Sequence, residues 1–229
     1  MNLLAIETAT EACSCALLAE QGQWTAWEMA PRRHAELILA MVAQLLETSG
    51  YALEELDGIA FGRGPGAFTG VRIAAGVAQG LAFGAELPVV PVSSLRALAQ
   101  GVLRERGAER VLAALDARMG EVYWGTFARG PAGLMLPVNE ECVCAPEQAP
   151  LPRDARGWFA AGTGWERHGE VLRRVVGEPL VGEEPRRCPH ALDVAVLGAD
   201  LLASGGGVPP EAALPVYLRD RVVGPPRKR

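Results

Sequence analysis

The sequence predicts an α/β fold of two lobes, each built on a mixed β-sheet, with the second lobe reduced. Three observations support this prediction. The chain opens with short strands at 3–7, 12–18 and 24–29, helices and strands then alternate, and a second hairpin begins at residue 110. We expect a first lobe at 1–107 and a smaller second lobe at 108–229, with a C-terminal segment that packs back on the first lobe.

The first long helix is predicted at 33–49 and ends at Gly50. Apolar residues follow the i, i+3, i+4, i+7 pattern of a helix that covers a core. The opposite side is also apolar in part, since Leu39, Ala40 and Ala43 lie there. A helix that is apolar on more than one side requires a second packing partner.

The second long helix, predicted at 69–83 with Thr69 as its N-cap, is rich in Gly and Ala. An interior Gly costs about 1 kcal/mol relative to Ala, so repeated glycines indicate close backbone approach, either to the chain's own sheet or to a helix of a partner. We predict that the two helices form a docking face for another protein. Its residues are Arg33, Glu36, Leu39, Ala40, Ala43, Val71, Ala74, Ala75, Ala78 and Ala82.

The remaining elements follow the same alternation, and the second lobe contains more irregular chain than the first. The predicted elements are a short helix at 51–57, strands at 59–61 and 87–92, a helix from Ser93 or Ser94 to 106, strands at 110–115 and 121–127, a Pro-rich stretch at 130–156 with one or two edge strands, a strand at 158–162, helices at 165–176 and 190–204, and an extended piece at 216–218 with Arg219 and Arg221 facing outward.

A Gly/Pro-rich segment at 62–73 joins a buried strand to the second helix. Backbone N–H groups at such a junction can bind a phosphate, but a P-loop needs a Lys after its last glycine, and Val71 and Arg72 follow Gly70 here. The glycine spacing also differs from the dinucleotide-binding pattern. The segment is therefore interpreted as a tight turn that brings a strand and a helix together.

Composition limits the function. The net charge of −5 disfavours a broad surface for nucleic acid, and the hydrophobic fraction of 49% is that of a globular protein. The five cysteines include two Cys-x-Cys pairs and no Cys-x-x-Cys pair, so the spacing does not support a zinc site. Their odd number favours a reducing compartment. No signal peptide or membrane-spanning run is present, so we predict a cytoplasmic protein without membrane association.

Five segments together resemble the bacterial TsaB (YeaZ) family. They are GPGAFTGVRI at 64–73, LAIETAT at 4–10, RHAE at 33–36, LDAR at 115–118 and PVYLR at 215–219. The resemblance implies a role in making the threonylcarbamoyl adenosine of tRNA. It also implies association with the catalytic subunit TsaD and the ATPase TsaE, and self-association into a homodimer through the same helical face.

The layout is similar to the actin-like ATPase (ASKHA) fold, whose two hairpin turns bind nucleotide phosphates. Here the first turn contains Glu7 and Thr8 but no Gly or Asp, and Asp116 in the second turn is followed by Ala-Arg-Met. An Asp116–Arg118 ion pair is the preferred interpretation. Glu7 could orient a water or a metal, or it could be a structural carboxylate. The related TsaD family binds a metal through two His four residues apart. Here Ile38 stands four residues after His34, so His34 lacks the second ligand and no metal site is expected.

Three functions are compatible with these sequence features. The first is a non-catalytic subunit that docks TsaD, contacts tRNA only indirectly, and has no catalytic, cofactor-binding or metal-binding residues of its own. The second is a weak ATP- or ADP-binding enzyme of the same fold that uses Glu7, Thr8, Asp116 and Gly162 around the cleft between lobes. The third is a direct tRNA-binding module, which the acidic charge disfavours. The sequence favours the first.

Overall fold

The computed structural model describes residues 1–154 and 156–219, which form two β-sheets with helices on both faces of each. The elements are β1 Leu3–Glu7, β2 Ala12–Ala19, β3 Gly22–Met29, α1 His34–Ser49, β4 Gly58–Gly62, α2 Phe68–Gly84, β5 Val89–Val92, α3 Ser94–Arg106, β6 Arg110–Arg118, β7 Glu121–Arg129, β8 Met135–Pro137, β9 Cys142–Cys144, β10 Phe159–Ala161, α4 Thr163–Val176, β11 Gly182–Glu184 and α5 Ala191–Ala203. The predicted α/β class is confirmed.

Both sheets follow one plan, as the repeated hairpin opening predicts. The first sheet has the order β3-β2-β1-β4-β5, with antiparallel β1–β2–β3 pairing and parallel β1–β4–β5 pairing. The second has the order β11-β10-β6-β7-β8, with β6 antiparallel to β7 and parallel to β10. Its outer antiparallel positions hold only the three-residue strands β8 and β9, so the second sheet is reduced.

The first sheet is covered by α1 and α2 on one face and by α5 on the other. Alternate residues of β1 divide between the two faces, because side chains alternate along a strand. Leu4 and Ile6 pack with α1 and α2, whereas Leu3 and Ala5 pack with α5. The two long helices therefore lie side by side on one face and point their outer sides away from the sheet.

Two helices cross the proposed division between residues 1–107 and 108–229. Helix α3 belongs to the first segment, but Leu95, Leu98 and Val102 pack against the second sheet. Helix α5 belongs to the second segment, but Val194 and Leu197 pack against the first sheet. Each lobe thus obtains part of its core from the other half of the chain.

Helix ends match the sequence signals at most positions. Gly50 and Gly107 adopt left-handed conformations (φ 75° and 68°) where α1 and α3 end. Ser93 caps α3 by accepting from the amide of Arg96, as predicted. The predicted N-cap Thr69 is wrong: α2 begins at Phe68, its N-cap is Ala67, and no side chain caps it.

The second lobe differs from the prediction at one edge strand and at the end of the described chain. Strand β11 was not predicted, because Gly-Glu-Glu carries no apolar alternation and pairing with β10 alone makes it extended. Arg219 does not face outward. Its side chain is 16% exposed, and its guanidinium pairs with Glu121. Arg221 lies outside the described residues. No helix within 1–154 and 156–219 is long and apolar enough to cross a membrane.

Candidate functional site

The Gly/Pro-rich segment packs directly against the β1–β2 turn. A methyl group at Gly70 would lie 2.1 Å from the carbonyl oxygen of Thr8, and one at Gly66 would lie 2.4 Å from the carbonyl oxygen of Ala9. Only glycine leaves room for this approach. The interpretation as a tight turn that joins a strand to a helix is confirmed.

Two amides and one carbonyl of this segment form hydrogen bonds within the chain. The amide of Ala67 donates to the carbonyl of Ala9 at 2.7 Å, and the hydroxyl of Thr8 donates to the carbonyl of Gly70 at 2.8 Å. The amide of Arg63 donates to Val92. The first two bonds hold the first hairpin turn against the start of α2.

Glu7 is a buried carboxyl at the end of β1, with an exposed fraction of 1%. Its Oε1 accepts from the amide of Ala9 at 2.6 Å, and its Oε2 accepts from the hydroxyl of Ser94 at 2.7 Å. Burial raises its pKa to about 7. Gly62 makes room for it, since a methyl group there would lie 2.0 Å from Oε2. These contacts favour the structural carboxylate over one that binds a metal.

Glu7 should make stability depend on pH. Its pKa rises from 4.5 to about 7 on folding, so the folded chain keeps a proton that the unfolded chain releases. Its contribution is complete below pH 4.5 and is lost as pH rises through about 7, by about 3 kcal/mol in the free energy of unfolding. Glu7→Gln lacks this titration. The free energy of unfolding of the variant minus that of wild type, measured with urea, should therefore be higher at pH 8 than at pH 5. An equal difference at the two pH values contradicts the prediction.

Asp116 lies at the end of the second hairpin. Its carboxylate pairs with the guanidinium of Arg118 at 3.0 Å and accepts from the amide of Arg118, which confirms the predicted local ion pair. Arg167 on α4 lies 3.5 Å away. The nearby Gly162, another residue of the alternative nucleotide site, packs so closely that a methyl group would lie 2.2 Å from the carbonyl of Ala114.

The α1 half of the predicted docking face is exposed in the structure. Arg33, Glu36, Leu39, Ala40 and Ala43 all face solvent, and Leu39 is 53% exposed. Arg33 pairs with Glu28 of β3 at 3.0 Å and approaches Glu36 at 3.8 Å. The exposed side of α1 therefore carries an apolar centre with charges near its N-terminus.

The α2 half of the predicted face is wrong. Val71, Ala74, Ala75, Ala78 and Ala82 are at most 3% exposed, because they pack into the chain's own core. Their spacing is the i, i+3, i+4, i+7 pattern of a core-facing stripe. The alternative explanation for the small residues, packing on the chain's own sheet, applies to these five.

The exposed side of α2 is a different set of residues. Gly76 and Gly80 have open space where a side chain would stand, with no atom within 4 Å of an added methyl group. Phe83 is 79% exposed at the C-terminal end. The sequence signal for this side is the spacing of four residues between Gly76 and Gly80, which places both on one side of a helix. We name the exposed residues Leu39, Ala40, Ala43, Gly76 and Gly80 the outer α1–α2 face.

The C-terminal motif ties the start of α2 to the second lobe. The guanidinium of Arg72 lies 3.8 Å from the ring centre of Phe68 and donates to the hydroxyl of Tyr217 at 2.8 Å. The rings of Phe68 and Tyr217 are 5.6 Å apart. Two residues later, Arg219 pairs with Glu121 of β7. No local sequence pattern links the three residues of this aromatic–Arg cluster.

A second junction between the lobes lies at the start of α3. The hydroxyl of Ser93 donates to the carboxylate of Glu141, which precedes β9. Arg63 and Arg96 bring positive charge to the same carboxylate and act to lower its pKa, whereas burial raises it and dominates. The junction joins the Gly/Pro-rich segment, α3 and the edge of the second sheet.

Comparison with known proteins identifies the family. A family model described as TsaD, tRNA N6-adenosine threonylcarbamoyltransferase, matches residues 25–153. The chain is 45% identical to the tRNA threonylcarbamoyladenosine biosynthesis protein TsaB of Escherichia coli, over 97% of this chain and 96% of that one. The corresponding Haemophilus influenzae protein is 40% identical over 97% and 95%.

A solved structure shares the fold over almost its full length. YeaZ from Pseudomonas aeruginosa is 51% identical, with a TM-score of 0.89 over 95% of this chain and 99% of that chain. The two mixed sheets share one strand plan and are covered by helices on both faces, which is the layout that the resemblance to the actin-like fold predicts. With these similarities, the chain belongs to the TsaB (YeaZ) family.

Proposed function

We propose that this chain is a non-catalytic subunit of the cytoplasmic complex that forms N6-threonylcarbamoyladenosine in tRNA. It would dock the catalytic subunit TsaD and support it. The observation that carries the proposal is the outer α1–α2 face, where an exposed Leu and four small residues occupy two adjacent helices. Small residues let the backbones of a partner's helices approach closely, and apolar area removed from water stabilises the complex.

A partner that is related in sequence to this chain would have its own helices equivalent to α1 and α2. A family model of TsaD matches 25–153, which contains both α1 and α2. A partner of related fold would present an equivalent pair of helices, and so would a second copy of this chain. We therefore propose that the homodimer and the TsaD complex use the same face and exclude each other, with the ATPase TsaE joining the TsaD complex.

The contacts at the two hairpin turns support the proposal that this subunit is non-catalytic. Glu7, Thr8 and Asp116 form hydrogen bonds or ion pairs within the chain, and Gly162 packs on Ala114. The nucleotide-binding alternative needs these residues to contact a phosphate or its metal. Asp116 separates the two functions, because it lies on the second turn and distant in sequence from α1 and α2.

The test is tRNA modification reconstituted with TsaD and its companion proteins, with this chain present, omitted or replaced by Asp116→Ala. Omission should abolish modification. The variant should modify tRNA within about twofold of wild type, since an ion pair to an exposed Arg contributes about 1 kcal/mol or less to the fold. Loss of modification by Asp116→Ala, with the TsaD complex intact by gel filtration, would assign chemistry to the cleft and overturn the proposal.

A further inference from the structure

Two cysteines lie side by side on the edge of the second sheet. Cys142 and Cys144 are the first and last residues of β9, so their side chains leave the same face of the strand. In the antiparallel pairing of β9 with β7, Cys142 lies opposite Trp124 and Cys144 lies opposite Val122. Both cysteines are half-buried and pack against the core cluster that contains Trp124.

The two thiols interact with each other. A hydrogen bond from the thiol of Cys144 lowers the pKa of Cys142 to about 7, and the same contact raises the pKa of Cys144. Losing the first proton is favoured because the neighbouring thiol stabilises the thiolate. Deprotonation of Cys142 would place a thiolate beside an intact thiol on the same face of β9, which is the arrangement of an attacking and a resolving cysteine.

The chain contains its own comparison for this pair. Cys13 and Cys15 have the same spacing in β2, but both are fully buried beneath α1 and α2. Burial raises the pKa of Cys13 to about 11 and that of Cys15 to about 12. Equal spacing thus gives an inert pair in the first sheet and an accessible pair at the edge of the second.

We propose that Cys142 and Cys144 form a dithiol site that hydroperoxides oxidise to a disulfide. The sulfur of Cys142 attacks the terminal peroxide oxygen, the O–O bond breaks, and the departing alkoxide or hydroxide takes a proton. The resulting sulfenic acid is attacked by the sulfur of Cys144, which forms the S–S bond and releases water. Two electrons pass from the thiols to the peroxide, which leaves as an alcohol or as water.

Disulfide formation should disturb the strand. Residues two apart on an extended strand have Cα atoms about 6.6 Å apart, near the upper limit of about 6.8 Å for a disulfide. Closing the bond therefore draws Cys142 and Cys144 together and bends β9 away from β7. Glu141 precedes Cys142 and accepts from Ser93, so oxidation should weaken this junction between the lobes as well as the packing around Trp124.

The experiment uses the full reduced chain with hydrogen peroxide at neutral pH. Folded wild type should lose two titratable thiols and about 2 Da of mass, mapped to the peptide with Cys142 and Cys144, with a change in tryptophan fluorescence that dithiothreitol reverses. Cys144→Ser should stop at a sulfenic acid that dimedone traps on Cys142. Cys13→Ala/Cys15→Ala and Cys188→Ser should behave as wild type.

Two results would overturn the proposal. One is a disulfide that maps to another pair of cysteines. The other is oxidation of Cys142 at the rate of Cys188, a partly buried thiol whose pKa burial raises. Circular dichroism of each variant before oxidation confirms that it is folded, so a missing reaction reflects the thiols themselves. The readouts involve no partner and no tRNA, so they are independent of the proposed docking function.

Discussion

Replacing Leu39 with Glu is expected to abolish assembly with TsaD and with it tRNA modification, while the free chain stays folded. Leu39 is 53% exposed at the centre of the α1 half of the outer α1–α2 face. In the free chain the new carboxylate would stand in water, and stability should change by at most about 0.5 kcal/mol. In a helix-packed interface it would be buried without a partner, at a cost of about 3 kcal/mol or roughly 100-fold in Kd.

Val181→Glu is the matched control. Val181 is an aliphatic residue of the second lobe and is 65% exposed, so the same charge enters a comparable environment away from α1 and α2. Binding to TsaD by calorimetry and self-association by sedimentation should be lost together in Leu39→Glu and kept together in Val181→Glu. Wild-type affinity in both variants would contradict docking through this face. Loss of only one of the two associations would contradict a shared surface.

The fold could be read from the sequence because local signals and global pattern agree. The hairpin at each lobe opening, the Gly stops and the Ser93 cap all act within a few residues, and the structure reproduces them. Strand β11 could not be predicted, because its extended form comes from pairing with β10 and not from its own residues. Likewise, Tyr217 contacts Arg72 across 145 positions of chain, and its ring packs against that of Phe68.

The sequence predicts the exposed residues of α1 correctly but not those of α2. Helix α2 carries two stripes of small residues, and composition alone does not tell which one faces the sheet. The stripe of Ala74, Ala75, Ala78 and Ala82 carries the methyl groups that a core can use, whereas Gly76 and Gly80 leave the outer surface flat. Glycine on the exposed side of a helix is unfavourable, because each Gly there destabilises the helix by about 1 kcal/mol relative to Ala. That penalty is explained if a partner requires the flat surface.

Gly70→Ala and Gly76→Ala test the division of α2 into a closely packed start and an open outer face. At Gly70 the added methyl group would meet the carbonyl oxygen of Thr8 at 2.1 Å. The obstacle is backbone in the β1–β2 turn, so the helix must shift and break the bond from the Thr8 hydroxyl to the Gly70 carbonyl. We expect a loss of about 4 kcal/mol or more in the free energy of unfolding.

At Gly76 the same substitution meets no atom within 4 Å, so helix propensity decides the sign, and the free chain should gain about 1 kcal/mol. Urea unfolding of the two variants and wild type, followed by circular dichroism, measures both effects on one helix with one added methyl group. Equal midpoints for Gly70→Ala and wild type would show that the turn yields without cost. In that case the glycines of the Gly/Pro-rich segment would need an explanation outside the packing of this chain, such as a ligand or a partner at the β1–β2 turn.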